Sequence, residues 1–598
     1  MPVETHTALS AAGAPARAPR ATGRARFAFC LAGIALIAVH VWMSLHLPGK
    51  GPFGLPDEAG YLGNATFLVH GYGRSVFGYS GGYSLLLVPA ALLRSSPHEY
   101  YQAALLTNAV FAPLSAVLAY LLVRELFPDV TTTGAALVAG TVALQPFLFT
   151  IAQLAMSENA LIPTTLLAAL LLAKYAKNRS IGVGLAGGLV ASFAFWISPR
   201  GILVAGAFGL ALLVVRPRSR ERVAALLAIT VAMGACVAVG FVFNEKLRGG
   251  EKVPGVQSVS TMPPFGRLST WRDLVAGVGA RLGYLGAASL GLALIGFCVA
   301  AVWALEHPNA KEPKDGQARA VVGVFASVSV VTTLVFSTLV TKVGRIDHLY
   351  FGRYIEGVAM PLVAIGGGWL VSRSASRAGR HKVVLTAAGT TVAIAAFLSL
   401  AGLFPNPPAI STEISINVTA LVAIRSLAGV HGLNAPVLVG GLVVGAVLLF
   451  RLIDSRLTLV AMVVLFAVGA YSIDNDYVRV ASLVWGSHSA VAASLVRLQQ
   501  AGLTDRCIRY EADSSVWALG NDSYQMPKWK LKPARRKQPA SCRALMLTPG
   551  HRPTAAAGDW RLVSSETFVE SALWVDLSDL PPQVRSRVAA VVLPTPRS

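Results

Sequence analysis

Apolar runs of about 20 residues, each enough to cross a bilayer core of roughly 30 Å, recur between Arg26 and Tyr471. A backbone in lipid must satisfy its own hydrogen bonds, so a chain with this pattern can only be a bundle of helices over that stretch. Whole-chain composition agrees, with 54% hydrophobic and 13% charged residues and a mean hydropathy of +0.59. The formal net charge of +22 would point to nucleic acid in a soluble protein. Here the basic residues fall largely in short connections between apolar runs, where they orient the chain, and no nucleic-acid partner is inferred. The first run, near Phe27–Leu45, is too long for a cleaved signal peptide and lacks a small-residue cleavage site.

Spans are expected near 27–45, 100–123, 134–150, 158–175, 181–197, 201–215, 221–243, 284–305, 320–341, 354–372, 382–403, 434–450 and 457–472, about 13 crossings in all. Residues 1–25, rich in arginine and poor in acids, read as a disordered cytoplasmic tail. With that end inside, successive cytoplasmic loops carry Lys174/Lys177/Arg179, Arg216/Arg218/Arg220/Arg222, Arg373/Arg377/Arg380/Lys382 and Arg451/Arg456. Gly81–Leu93 is apolar but too short to span and is placed as an interfacial or re-entrant helix; counting it as a crossing would turn those arginine clusters outward. The expected fold is an all-α polytopic membrane domain over 26–472, with a first outer loop at 46–99 and a long outer loop at 244–283.

An odd number of crossings leaves residues 473–598 outside, where the alternating runs Arg506–Tyr510, Ala544–Leu547 and Ala572–Leu577 predict a small α/β or β-rich domain. Cys507 and Cys542 both fall in this exported segment, and a disulfide between them is expected. Cys30, Cys236 and Cys298 lie in spans and read as packing residues. The segment Lys528-Trp529-Lys530-Leu531-Lys532 reads as a basic loop, either solvated or resting on anionic headgroups or a charged glycan.

Function should show where the orientation rule is broken. Asn244–Gly283 holds Lys246, Arg248, Lys252, Arg267, Arg272 and Arg281; Thr341–Tyr354 holds Lys342, Arg345, His348 and Arg353; and Arg200 caps a pair of spans. Cations held on the outer face against the bias are explained by an anionic ligand, or more blandly by lipid phosphates and acidic loops. On the same face, just past the first span, stand Asp57 and Glu58, and acids at a membrane face are costly enough to suggest chemistry. Glu158 opens a span there as well; it is either an ordinary helix-start acid or a cavity acid. Asp57 and His348 could contribute to a metal site, but one histidine among scattered acids is a poor ligand set. No cofactor is assigned, and a divalent metal is left open.

The order of several short motifs resembles the GT-C class of integral-membrane glycosyltransferases, such as protein O-mannosyltransferases, lipid A aminoarabinose transferases and arabinofuranosyltransferases. The motifs are Pro56-Asp57-Glu58-Ala59-Gly60-Tyr61-Leu62, Gly81-Gly82-Tyr83-Ser84, Tyr120–Phe127, Ala155-Met156-Ser157-Glu158-Asn159, Ser198-Pro199-Arg200-Gly201 and Gly352-Arg353-Tyr354. The resemblance covers roughly residues 25–375 and implies transfer of a sugar from a polyprenyl-phosphate donor to an acceptor hydroxyl of a glycan, lipid or protein. It implies Asp57 as general base, with Glu58 orienting the acceptor or Asp57, or else serving as a helix-start acid. Arg353 and Arg200, then Lys342 and Arg345, with Tyr354 beside them, are expected at the donor phosphate. Inversion at the anomeric carbon, the plasma membrane and the outer face follow from the same resemblance. A carrier of lipid-linked sugars or a non-enzymatic envelope assembly protein would share the spans without needing Asp57.

Overall fold

The computed structural model describes residues 23–46, 56–71, 79–93, 97–215, 220–248, 268–305, 314–340, 352–372, 455–473, 478, 490–505, 507–510, 530–533, 542–547, 553, 559–566 and 571–592. Among these, six helices are long and apolar enough to cross a membrane: His98–Leu126, Glu158–Asn178, Arg220–Leu247, Lys314–Leu339, Gly352–Val371 and Arg456–Ile473. Shorter apolar helices occupy Leu31–Leu45, Thr132–Ala143, Ile181–Ile197 and Gly201–Val214, at further expected positions. The spans expected at 382–403 and 434–450 lie outside the described residues.

In chain order the helices are α1 (Gly23–Leu45), α2 (Pro56–His70), α3 (Gly81–Leu86), α4 (Val88–Leu92), α5 (Pro97–Leu126), α6 (Thr132–Ala143), α7 (Pro146–Ile151), α8 (Glu158–Asn178), α9 (Ile181–Ile197), α10 (Gly201–Val214), α11 (Arg220–Arg248), α12 (Leu268–Ala288), α13 (Leu292–Leu305), α14 (Lys314–Val340), α15 (Gly352–Val371) and α16 (Ser455–Ile473). Two expected spans are interrupted. The 134–150 run breaks after α6, and Pro146 starts α7 where a missing N–H costs nothing. The 284–305 run is a bent pair, α12 and α13, meeting at 114°. Gly291 takes φ +84° to end α12, its N–H bonding back to Gly286 O at 2.7 Å, and the Ser289 hydroxyl accepts the Ala293 N–H at 3.0 Å to start α13. The outer loop expected at 46–99 is itself largely helical, with Asp57 in the first turn of α2.

Burial sorts the helices by radius. The apolar window of α15 is 83% buried, that of α11 only 17%, so α15 is central while α11 shows Val223, Leu227, Val231 and Phe241 to lipid. α15 reaches the centre through glycine. A Cβ on Gly366 would fall 2.1 Å from Leu292 O, and one on Gly296 would fall 1.9 Å from Leu362 O, so α13 and α15 cross backbone to backbone. At one end of the bundle, Lys177 Nζ meets Glu125 Oε1 at 3.0 Å and Asp315 Oδ1 at 2.7 Å, tying α8 to α5 and α14. The N-terminal ends of α2, α8 and α15 gather at the other.

The C-terminal sheet has the order β2-β1-β3-β5-β4, from β1 (Cys507–Tyr510), β2 (Lys530–Pro533), β3 (Ala544–Leu547), β4 (Trp560–Glu566) and β5 (Ser571–Asp576). β1 runs parallel to β2 and β3; the other pairs are antiparallel. Ile508, Met546, Leu573 and Val575 pack in one core with Leu495 and Leu498 of α17 (Ala490–Gln500) and Val588 of α18 (Pro582–Ala589), the α/β form of the two expected. Residues 530–533, read from sequence as part of a basic loop, form edge strand β2, where lysines discourage further strand pairing. Cys507 and Cys542 are joined in a disulfide.

The glycine crossing gives a paired expectation. Gly366→Ala should lower the thermal unfolding midpoint of the purified protein in detergent, at a cost of about 1–3 kcal/mol, because the new methyl meets backbone that cannot yield. Gly206→Ala, with nothing within 4 Å of its Cβ position, should leave that midpoint unchanged or raise it.

Candidate functional site

Four charged side chains from four elements converge at the end of the bundle where α2, α8 and α15 begin. Glu158, the first residue of α8, has a side chain only 1% exposed. Its Oε1 accepts from Arg200 Nη2 at 2.7 Å and from Arg353 Nε at 3.1 Å. Arg353 Nη2 donates in turn to Asp57 Oδ2, so one guanidinium bridges Asp57 and Glu158 and contacts an acid 296 positions away in the chain. The Asp57 side chain is 19% exposed and is the most open member of the quartet's two acids. Formal charges cancel, two against two.

Local structure explains each placement. Asp57 follows Pro56 at the start of α2, where the helix dipole favours a carboxylate. Glu158 gains the same dipole, and charge pairing offsets the cost of burying it. Arg200 lies in the turn Ser198-Pro199-Arg200 between α9 and α10, its Nε donating to Ser198 Oγ at 3.2 Å. That turn is tight: a Cβ on Gly201 would fall 2.0 Å from the Ala194 carbonyl. Arg353 is the second residue of the central helix α15. Tyr354 beside it places its ring 3.9 Å beneath the Arg200 guanidinium, a cation–π contact that fixes the cation's plane.

The structure brings Asp57, Glu158, Arg200, Arg353 and Tyr354 together. Glu58 is placed differently. It is wholly buried, and its Oε1 accepts from Tyr101 Oη at 2.8 Å and the Ala155 N–H at 2.9 Å. It ties α2 to α5 and to the segment leading into α8. Lys342, Arg345 and His348 lie outside the described residues. Among the described residues, no three His, Cys, Asp or Glu side chains group as a metal ion would need.

Two tyrosines also take part: Tyr79, which no sequence motif marks, and Tyr61, which reads from sequence as an interfacial aromatic. Tyr79 donates its phenol to Asp57 Oδ1, and burial, followed by the Asp57 charge, pushes that phenol well above the usual tyrosine range. Tyr61, also raised chiefly by burial, donates to Ser157 Oγ at 2.8 Å, beside Glu158. For Tyr61 the signal lies in spacing: Asp57, Tyr61 and Asn64 recur at i, i+4 and i+7 on α2. Arg281, counted only as one cation of an outer loop, is instead buried within α12 and donates to Thr338 Oγ1 on α14.

Residues 97–241 match the sequence family described as dolichyl-phosphate-mannose-protein mannosyltransferase. Among solved structures, ArnT from Cupriavidus metallidurans in the apo state aligns with a TM-score of 0.52 at 15% identity, covering 95% of this chain and all of that one. A second structure of ArnT from that organism, bound to undecaprenyl phosphate, aligns at 0.49 and 14%, covering 94% and 99%. The Archaeoglobus fulgidus oligosaccharyltransferase tethered to an acceptor peptide aligns at 0.35 and 10%, covering 83% and 63%. No curated protein matches the chain in sequence.

Glu158 is the common partner of both arginines, so neutralising it should be expensive. Glu158→Gln should lower the unfolding midpoint by the equivalent of about 3–5 kcal/mol, the cost of breaking a buried pair. Arg561→Ala, which removes the exposed pair with Asp559, should cost under about 1 kcal/mol. Thermal unfolding of the two purified variants in one detergent compares them directly.

Proposed function

We propose that this chain, a membrane glycosyltransferase with the GT-C fold, moves a sugar from a polyprenyl-phosphate donor to an acceptor hydroxyl, with Asp57 as general base. The observation that supports this most directly is the bridge of Arg353 between Asp57 and Glu158. A donor phosphate needs cations and an attacking hydroxyl needs a base, and this site holds a cation, Arg353, against a carboxylate, Asp57.

In the proposed reaction the acceptor oxygen bonds to the anomeric carbon as the bond from that carbon to the phosphate oxygen breaks. The leaving electron pair stays on the phosphate, and the hydroxyl proton passes to Asp57. Asp57 therefore loses its negative charge while the polyprenyl phosphate gains one. Arg353, in contact with Asp57 before reaction, can follow that charge to the phosphate, with Arg200 beside it on the Tyr354 ring. Glu158 keeps both guanidiniums aimed throughout. A single displacement of this kind inverts the anomeric centre.

The donor assignment is supported by the mannosyltransferase family matched over 97–241, whose description names a polyprenyl-phosphate sugar. The outer face of the plasma membrane is supported by the basic end of α8, with Lys174, Lys177 and Arg179, lying opposite Glu158 and the site. The Cys507–Cys542 disulfide fits a C-terminal sheet on the outer side, an oxidising setting. An acceptor glycan, lipid or protein fits the chemistry equally, since each offers a hydroxyl.

The test uses the full-length protein in nanodiscs, with undecaprenyl-phosphate mannose and decaprenyl-phosphate arabinofuranose as donors and short glycosides or a serine-containing peptide as acceptors. Asp57→Asn should cut transfer by about 100- to 10,000-fold yet bind undecaprenyl phosphate as well as wild type or better, because it removes an anion competing for Arg353. Arg353→Gln should weaken that binding at least about tenfold, the loss of one charge-assisted contact. Transfer retained in Asp57→Asn would eliminate the base. Movement of the lipid between leaflets of vesicles, with no transfer of any sugar, would make the protein a carrier instead.

A further inference from the structure

Asp57 sits at the open rim of the site, and its carboxylate must keep its aim once Arg353 turns toward a phosphate. On the structure's own geometry, something other than the arginine has to hold it. Along α2, positions 57, 60, 61 and 64 share one face, and Tyr79 lies along all four. A Cβ on Gly60 would fall 2.1 Å from Tyr79 Cδ2, so the ring rests directly on the helix backbone. The Tyr61 ring packs on it with centroids 5.2 Å apart, and Asn64 Nδ2 donates to the Tyr79 carbonyl at 3.4 Å. Pinned in this way, the phenol reaches back to donate to Asp57 Oδ1 while Arg353 holds Oδ2.

We infer that Tyr79 is a positioning residue for the base: it fixes the Asp57 carboxylate through Oδ1 and leaves Oδ2 for the acceptor's proton. This rests on the reading of Asp57 as base and adds to it the residue that orients that base. The phenol suits the task for two reasons. Its raised titration keeps it protonated, hence a donor, well into alkaline pH. Its seat is set by ring contacts that do not depend on the arginine. The charged and titratable groups facing Asp57 and Tyr79 are Arg353 and Tyr354 from α15, Glu158 from α8, Arg200 from the turn before α10, and Tyr61 from α2 itself.

The variant that isolates the hydrogen bond is Tyr79→Phe, which keeps the ring on Gly60. Tyr100→Phe serves as control: it removes a buried phenol bonded to Leu62 O at 2.8 Å, away from Asp57. Two readouts apply. The first needs no sugar donor: reaction of Asp57 with a water-soluble carbodiimide, followed by mass spectrometry across pH in the full-length protein. The reaction consumes the carboxyl proton, which passes to a carbodiimide nitrogen as the carboxylate oxygen adds to the central carbon, and a carboxylate that loses a donor binds its proton more tightly. The pH midpoint of labelling should therefore rise by about one unit or more in Tyr79→Phe and stay in place in Tyr100→Phe. The second is kinetic: kcat should fall about 10- to 100-fold with donor KM within about twofold of wild type, and the acid limb of the rate profile should move up with the labelling midpoint. Unchanged midpoint and unchanged kcat in Tyr79→Phe would overturn the inference even if Asp57→Asn is inactive. Full transfer in Asp57→Asn would instead remove the base itself, whatever Tyr79→Phe does to the labelling.

Discussion

The buried carboxylate of Glu158 is what the rest of the site depends on. Neither Arg200 nor Arg353 could be held near each other at a bundle end without an anion between them, since two guanidiniums repel and each loses hydration on burial. Glu158 accepts from both through one oxygen, and it does so from the first turn of α8, where the helix dipole adds to its stabilisation. From that anchor the chain of contacts runs outward to Asp57, the least buried of the two acids. Charge is thus most fixed where it is deepest and most available where a substrate could reach it.

A neutral quartet has a consequence for chemistry. In the proposed transfer, one negative charge disappears from Asp57 and one appears on the phosphate, so the total in the pocket does not change. What changes is its position relative to Arg353. A cation already in contact with the donor of that charge, and within reach of its destination, needs little reorganisation during the reaction, which is the condition for effective electrostatic stabilisation. A freely solvated lysine at the same place would have to shed water first. The bidentate, weakly hydrated guanidinium suits a shared role better.

Much of this was legible in the sequence, and the reasons differ by feature. Span positions follow from apolar run length, which is why α5, α8, α9, α11, α14 and α15 fall where expected. Arg353, Arg200 and Glu158 were found because each violates a bias: cations on the face that disfavours them, an acid opening an apolar helix. The breaks at Leu144–Gln145 and Ser289–Gly291 escaped because they are made by backbone conformation and local caps inside continuous apolar runs. Arg281 was counted in a loop because helix α12 starts within a polar stretch, and only packing against α14 decides that it is buried. Tyr79 carried no charge to mark it, and its role depends on Gly60 being small, a fact about contact that no composition reveals. β2 was hidden for the opposite reason: alternating lysines look solvated whether they line a loop or the edge of a sheet.

The neighbouring acids Asp57 and Glu58 show how one short motif divides its work. Consecutive residues on a helix project about 100° apart, so the two carboxylates cannot serve the same pocket. Asp57 projects toward Arg353 and Tyr79. Glu58 projects into the bundle, where it accepts from Tyr101 of α5 and from the Ala155 N–H before Glu158 and so acts as a tether. That tether lands on Ala155, three residues from Glu158, so the segment that aims the base is bonded to the segment that aims the cations. The buried hydrogen bond on Glu58 thus adds a second tie between these segments beside the direct contact of Arg353 with Asp57. In the proposed reaction the acid pair works as one base and the strut that locates it.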